Sequence, residues 1–255
     1  MPEIIIAEHH DQVYPVWVER GMRGVKLTHV DFHCDMRGIL IDRTKNSAIF
    51  TSHRETTFVD RGNFLAHAIM NGIVTDLRWI HDQHGGRAFD IGPTVSYETD
   101  FLAPWFRLKH ALSDRTEKEF VYEETLMSSW EGPRAGEQLD IDWDGLASVE
   151  YSKSTREKLV SQFLAKDFTH IPEITFLVYS PGYSDPDKSL FEDFAKALSQ
   201  KFQAELVRLP VTELNTEGEQ FGYIKRAIPQ PVKDIKRELM RRIRHAQAAD
   251  DLKTA

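Results

Sequence analysis

Short apolar runs separated by polar turns divide the first fifty residues into a tight alternation. Glu3–Ala7 (EIIIA) is a β-branched run of the kind expected for a strand buried on both faces. Residues 11–20 carry helical spacing, and Gly21 and Gly24 punctuate their end. Val25–Val30 (VKLTHV) predicts a second strand that runs straight into Asp31-Phe32-His33-Cys34-Asp35. Strand, helix and strand at this spacing predict a βαβ unit.

The same reading continues along the chain. Residues 63–72 (NFLAHAIMNG) predict a helix capped by Asp60 or Asn63, and residues 76–81 (DLRWIH) a strand. Residues 82–93 are rich in glycine and turn formers and predict a surface loop. Residues 94–134 have no clear period; their aromatics (Tyr97, Phe101, Trp105, Phe106, Tyr122, Trp130) suit a small antiparallel or irregular layer. A strand over 137–141 leads into Asp142-Trp143-Asp144, a helix follows over 154–165, and residues 174–179 (ITFLVY) predict a buried strand ending at Ser180-Pro181-Gly182-Tyr183. Lys188–Phe202 reads as an amphipathic helix, 204–209 as the last strand, and 231–247 as a basic helix with a frayed tail. With no repeat, low-complexity segment or linker, the expectation is one α/β domain over residues 1–255.

Composition narrows the function classes. A formal charge of −8 argues against a nucleic-acid partner, which would call for a basic surface. No stretch is long and apolar enough to predict a membrane span. Glu3 and Glu8 stand where a signal peptide would carry basic residues, and Cys34 is the single cysteine, so a cytoplasmic address is expected. The basic positions of 231–247 (Lys233, Lys236, Arg237, Arg241, Arg242, Arg244) could meet an acidic peptide, although a solvated helix face is the simpler reading.

The chemistry gathers in two clusters. In extended backbone Asp31, His33 and Asp35 would point to one side at the end of a strand, where ligand sites of parallel α/β sheets lie. Carboxylates with an imidazole suit Mn²⁺, Fe²⁺ or Zn²⁺ better than Ca²⁺ or Mg²⁺. Asp140, Asp142 and Asp144 repeat the pattern at a second predicted strand end, and like charges packed on one face need a cation or protons to compensate them. The first strand ends at Glu8-His9-His10-Asp11, and the pattern leaves open which of His9 and His10 faces the centre.

Asp31-Phe32-His33-Cys34-Asp35 resembles the D-x-H-x-D signature of the arginase/agmatinase (ureohydrolase) superfamily, and Asp142-Trp143-Asp144-Gly145-Leu146 its later D-x-D motif. Together with Glu8–Pro15 (EHHDQVYP) and His29-Val30, these segments resemble a divergent branch that contains the peptide arginases of ribosomal-peptide biosynthesis. The resemblance implies a three-layer αβα fold with a mainly parallel sheet, and two Mn²⁺ per chain. One ion would be held by His10, Asp31, Asp35 and Asp142, the other by Asp31, His33, Asp142 and Asp144. It implies hydrolysis of peptidyl arginine to peptidyl ornithine and urea in an arginine-containing precursor peptide. Asp35 would also accept a proton, and Glu8 and Asp140 would orient a ligand imidazole. Where arginases carry Asn-x-His, this chain has Asn63-Phe64-Leu65; Asn63 would face the substrate, and His67 is the alternative proton carrier. Tyr183 or Asp185 would reach the guanidinium in place of the arginase glutamate. Two other readings are a single-metal amide hydrolase of the related deacetylase type and a non-catalytic metal-binding protein of the same fold.

Overall fold

The computed structural model describes residues 1–43, 45–50, 59–82, 94–96 and 117–210, all within a unit that spans Met1–Leu214. The elements in chain order begin with β1 (Glu3–Ala7), a 3-10 turn (His10–Gln12), α1 (Val13–Glu19), β2 (Val25–Val30), β3 (Ile39–Asp42) and β4 (Ser47–Phe50). Next come α2 (Phe64–Met70), β5 (Val74–His81), β6 (Thr94–Ser96), β7 (Lys118–Glu119) and β8 (Val121–Leu126). The last are β9 (Glu137–Asp142), α3 (Asp144–Ala147), α4 (Lys153–Ala165), β10 (Ile174–Val178), α5 (Lys188–Phe202) and β11 (Glu205–Arg208).

Seven strands form the main sheet in the order β11-β1-β10-β9-β2-β5-β8, and every neighbouring pair is parallel. Alternation along the strands feeds two cores. Ile5, Ala7, Leu27 and Phe176 pack with Trp17 of α1 and Phe64, Leu65 and Ile69 of α2. Ile4, Ile6, Ile141 and Leu177 pack on the other face with Leu146, Leu159, Phe163, Phe194 and Leu198 of α3, α4 and α5. Helices thus cover both faces, and the expected three-layer α/β architecture is present. Side-chain caps start the two long helices: Ser152 accepts from the Thr155 amide and Asp187 from the Ser189 amide.

β1 and β2 are parallel but not adjacent, because β10 and β9 lie between them. The chain crosses over these positions after β1 and fills them later, and the carboxyl edge at such a reversal of strand order is where open α/β sheets place their ligand sites. β9 does lie beside β2, with Val30 opposite Ile141, so the two predicted acidic clusters are neighbours.

A second, four-stranded sheet (β6-β3-β4-β7) was not legible in the sequence. Nor was β8, which extends the main sheet and carries the buried Tyr122. Trp130 is buried in the core of the opposite face. Tyr97, Phe101, Trp105 and Phe106, the predicted loop beyond Asp82, and the predicted helix over 231–247 lie outside the described residues. Among the described residues no helix is long and apolar enough to cross a membrane.

Candidate metal centre

The centre is assembled where four parallel strands end. β2 stops at Val30, and the Asp31 amide still donates to the Ile80 carbonyl of β5. Trp79 Nε1 donates to the Asp31 carbonyl at 3.0 Å, so the backbone of Asp31 is held at both ends. Beyond it the chain turns instead of running on extended. Asp31 Oδ1 accepts from the His33 amide at 2.7 Å, and Asp35 adopts φ +50°, a left-handed conformation that costs a non-glycine residue about 1–3 kcal/mol. The three side chains of the motif therefore converge through a turn, not through strand alternation as the sequence pattern suggested.

β9 delivers Asp142, and α3 begins at once with Asp144. Gly145 lets this turn seat directly against β2, since a Cβ there would stand 2.8 Å from Asp31 Cα and 2.9 Å from its nitrogen. The contact joins the two motifs: Asp144 Oδ1 accepts from the Phe32 amide at 3.2 Å, and Asp144 Oδ2 lies 3.0 Å from His33 Nδ1. The 3-10 turn after β1 supplies His10. Its neighbour His9 faces the other way, toward Arg61 at 3.4 Å.

Three overlapping groups of donors result, all sharing Asp31, and one of them is His10, His29 and Asp31. The inner group is His10, Asp31, Asp35 and Asp142, and the outer group is Asp31, His33 and Asp144. All inner members are buried, whereas the His33 side chain in the outer group is 33% exposed and opens the centre to solvent. His10 Nδ1 lies 2.9 Å from Asp35, 3.0 Å from Asp142 and 3.4 Å from Asp31. His10 Nε2 meets Asp140 Oδ2 at 2.9 Å. A carboxylate can only accept, so Nε2 carries the proton and Nδ1 turns toward three further carboxylate oxygens. One N–H at Nδ1 could point at only one of them, whereas a divalent cation can be shared by all four atoms. Neither His10 Nδ1 nor Asp31 Oδ2 has a well-formed hydrogen bond, although both are buried. The donor set thus fits a divalent ion, with oxygen and imidazole nitrogen suited to Mn²⁺, Fe²⁺ or Zn²⁺.

The electrostatics agree. Burial and the Asp31 carboxylate push Asp144 up to about 7. Burial likewise raises Asp35, and burial with Asp144 raises Asp142. Burial works against a charged His33, but the Asp144 carboxylate overrides it and lifts His33 to about 9. The cluster draws in positive charge, as protons or as cations.

Asp140, expected only as an orienting group, is fully buried and sits between two imidazoles, 2.9 Å from His10 Nε2 and 2.8 Å from His29 Nδ1. Burial alone would raise it; the two imidazoles hold it well below the usual carboxylate range. His29 is the residue that sequence reasoning missed. The available signal was its spacing, two residues before Asp31, which extends the motif to H-x-D-x-H-x-D. Ser180 was also missed: its hydroxyl donates to Asp142 Oδ2 at 2.7 Å, and its φ of +50° immediately before Pro181 marks a strained turn.

The remaining predicted residues are placed as follows. Tyr183 is 50% exposed, with its ring 5.4 Å from that of His33, at the mouth of the outer group. Asp185 forms an ion pair with Arg156 and accepts from the Asp187 amide. Glu8 pairs with Lys188 at 2.7 Å. Asn63 is buried, and its Oδ1 accepts from the Asp60 amide at 2.7 Å. His67 on α2 sits edge-on to Tyr14, while the ring of Phe64 of the same helix lies tilted against that of His10, 4.6 Å away.

Fold and centre together define an α/β protein with a carboxylate-histidine centre at the carboxyl edge of a parallel sheet. No family model matches the chain, and no curated protein does. Among solved structures it is similar to proclavaminate amidino hydrolase from Streptomyces clavuligerus, at 14% identity and a TM-score of 0.37, over 79% of this chain and 64% of that one. The chain thus spans just under two thirds of that enzyme, and a likeness of this size carries no argument about activity.

Proposed function

We propose that the chain is a dinuclear manganese hydrolase that cleaves the guanidinium of an arginine side chain in a peptide, leaving ornithine and urea. One observation carries the metal part of this reading: buried His10 Nδ1 faces oxygens of Asp31, Asp35 and Asp142 while Asp140 occupies the other ring nitrogen. The motif resemblance to ureohydrolases supports the choice of manganese and of an amidine C–N bond, and that to the peptide-arginase branch supports a peptidyl substrate.

Divalent ions in the two groups would supply Lewis acidity and an activated water at neutral pH. The protein's own part is to hold charge and move protons. Asp35, at the edge of the inner group, is placed to take a proton from the attacking water. The bond from the guanidino carbon to the side-chain nitrogen breaks, that nitrogen leaves as the ornithine ammonium after gaining a proton, and the oxygen of water ends in urea. Tyr183 and the exposed edge of His33 would form the approach for a side chain presented on a peptide. Asp185 would have to release Arg156 to bind a guanidinium, so Tyr183 is the better placed of the two predicted contacts. His67 would carry a proton only if the substrate reached α2.

The hydrogen bond from Ser180 favours a variant of this reading. It ties Asp142 toward the inner group, and the outer group then counts three donors without Asp142. That asymmetry fits a single tightly held ion, as a deacetylase-type hydrolase would need. Metal analysis separates the two: about two ions per chain support the dinuclear centre, and one ion retained through dialysis supports the variant. Activity is tested by incubating Mn²⁺-loaded protein with arginine-containing peptides and following their mass. Each converted arginine loses the elements of cyanamide and releases urea. Metal uptake without conversion of any arginine peptide would overturn the proposed reaction, and Asp31→Asn should abolish both uptake and conversion.

A further inference from the structure

We propose that His29 is a positioning residue that locks the shared ligand Asp31 and the ligand His10 into one rigid ring through Asp140. The inference rests on the reading of the centre as a metal site and adds a residue to it. Four side chains close a circuit. His10 Nε2 meets Asp140 Oδ2 at 2.9 Å, and Asp140 Oδ2 meets His29 Nδ1 at 2.8 Å. His29 Nε2 then lies 3.1 Å from Asp31 Oδ2, and Asp31 Oδ2 lies 3.4 Å from His10 Nδ1, close approaches of opposite polarity without a well-formed hydrogen bond. All four residues are buried to within 1%.

The fold explains why the ring is rigid. His29 and Asp140 are register partners on the adjacent strands β2 and β9, so their side chains rise side by side on one face of the sheet. Phe64 closes the ring from above, 4.6 Å from the His10 ring and 6.5 Å from that of His29. His10 itself comes from β1, two strands away, on a short turn with no sheet partner of its own. A ligand delivered on such a turn needs an external reference, and Asp140 provides it. Asp140 alone could swing, because its Oδ1 has no hydrogen bond; His29 fixes it from the β2 side. Through its other nitrogen His29 also faces Asp31, the residue common to all three donor groups, in one of which His29 itself is counted. The ring therefore sets two ligands of the inner group at once and meets the outer group only through Asp31, whose Oδ1 accepts from the His33 amide.

The test is a Mn²⁺ titration of the full chain, following free ion by electron paramagnetic resonance, for the wild type, His29→Gln, Asp140→Asn and the double variant. Melting of each metal-free variant reports whether it is folded. Loss of an outer partner of a metal ligand typically weakens binding about 10–100-fold, and His29→Gln should weaken the tighter Mn²⁺ equivalent by that factor and leave the weaker one in place. Because the ring acts as a unit, the double variant should bind no worse than the weaker single variant. At saturation the visible spectrum of the Co²⁺-substituted His29→Gln protein should match the wild type. Wild-type affinity in His29→Gln, or multiplicative losses in the double variant, would overturn the positioning role. A changed Co²⁺ spectrum at saturation would also overturn it, by making His29 a ligand. If His29→Gln fails to fold, Asp140→Asn decides alone: undiminished affinity for the tighter equivalent breaks the circuit. Should the wild type take up no Mn²⁺, the metal reading itself falls, a result distinct from a wild type that binds and a variant that binds equally.

Discussion

Replacing Gly145 by alanine tests whether the two motifs are held together by backbone packing. The added Cβ would stand 2.8 Å from Asp31 Cα, 2.9 Å from its nitrogen and 3.1 Å from its carbonyl carbon. All three are backbone atoms at the end of an interior strand, and Asp31 is further tied by the Ile80 carbonyl and Trp79. The neighbour cannot yield by rotating a side chain, so α3 must move by several tenths of an ångström. Overpacking of this kind costs about 1–3 kcal/mol, and for a chain of this size each kcal/mol lowers Tm by about 2–4 °C. The shift also carries Asp144 away from His33 and the Phe32 amide, so the outer group should lose Mn²⁺ affinity first. Calorimetry gives the first quantity and isothermal titration with Mn²⁺ the second. Gly72→Ala is the control: Gly72 has φ +67° and open space where a Cβ would fall, so it should lose stability through strain and keep Mn²⁺ binding. A Gly145→Ala protein with wild-type Tm and wild-type metal affinity would refute the argument.

Three further outcomes follow from the same geometry. Both Ser180→Ala and Ser180→Gly lose the hydroxyl that holds Asp142, but only alanine keeps a Cβ at φ +50°; the glycine variant should be about 1 kcal/mol more stable, and equal melting temperatures would contradict the strained turn. In chelator, stability should fall as pH rises. Folded His33 and His29 titrate at about 9 and about 10 against 6.5 unfolded, so their contribution is complete below 6.5 and lost on passing 9 to 10. Asp144 acts in the same direction between 3.8 and about 7, because the folded state holds a proton there that the unfolded state has released. The rise in Tm on adding Mn²⁺ should therefore be larger at pH 9 than at pH 6, and a Tm of the chelated protein that climbs toward alkaline pH would count against the cluster. Cys34 is buried and burial raises its thiol above the ordinary range, so iodoacetamide should label it only after unfolding; ready alkylation of the native protein would show the turn between the ligands to be open.

The parts of the fold legible in the sequence are the interior strands between the two cores and the long helix with one apolar face. Glu3–Ala7, Val25–Val30 and Lys188–Phe202 match their predicted bounds to the residue, because a doubly buried strand or an amphipathic helix leaves no polar position unexplained. β8 escaped because it is a sheet edge: VYEETL places two glutamates in its middle, and one of them, Glu124, pairs with His81 at 2.9 Å across β5. β3 and β4 escaped because each is only four residues long; they pair with each other as a local antiparallel hairpin outside the main sheet. The carboxylates and histidines of the two motifs do gather, but through an Asp31 side-chain turn and a left-handed Asp35 and not through the strand alternation their spacing suggested. Tyr183 beside His33 could not be read from spacing, since it depends on where the turn after β10 meets the one after β2.

His29 shows why such a centre needs more than its ligands. Alternation along β2 reveals that His29 and Asp31 are two residues apart, but not that β9 would place Asp140 beside one and a crossover turn would bring His10 over both. Once it does, burying that many carboxylates together is tolerable only if each has a fixed partner. The structure assigns them individually: His29 and His10 to Asp140, the other nitrogen of His10 to Asp35, the Ser180 hydroxyl to Asp142, the His33 amide to Asp31 and the Phe32 amide to Asp144. These partners all come from the strand ends themselves or from the turns that follow them. Any change that moves one strand end must therefore disturb ligand geometry and charge compensation together, which makes metal affinity and fold stability two readings of a single packing problem at the carboxyl edge of the sheet.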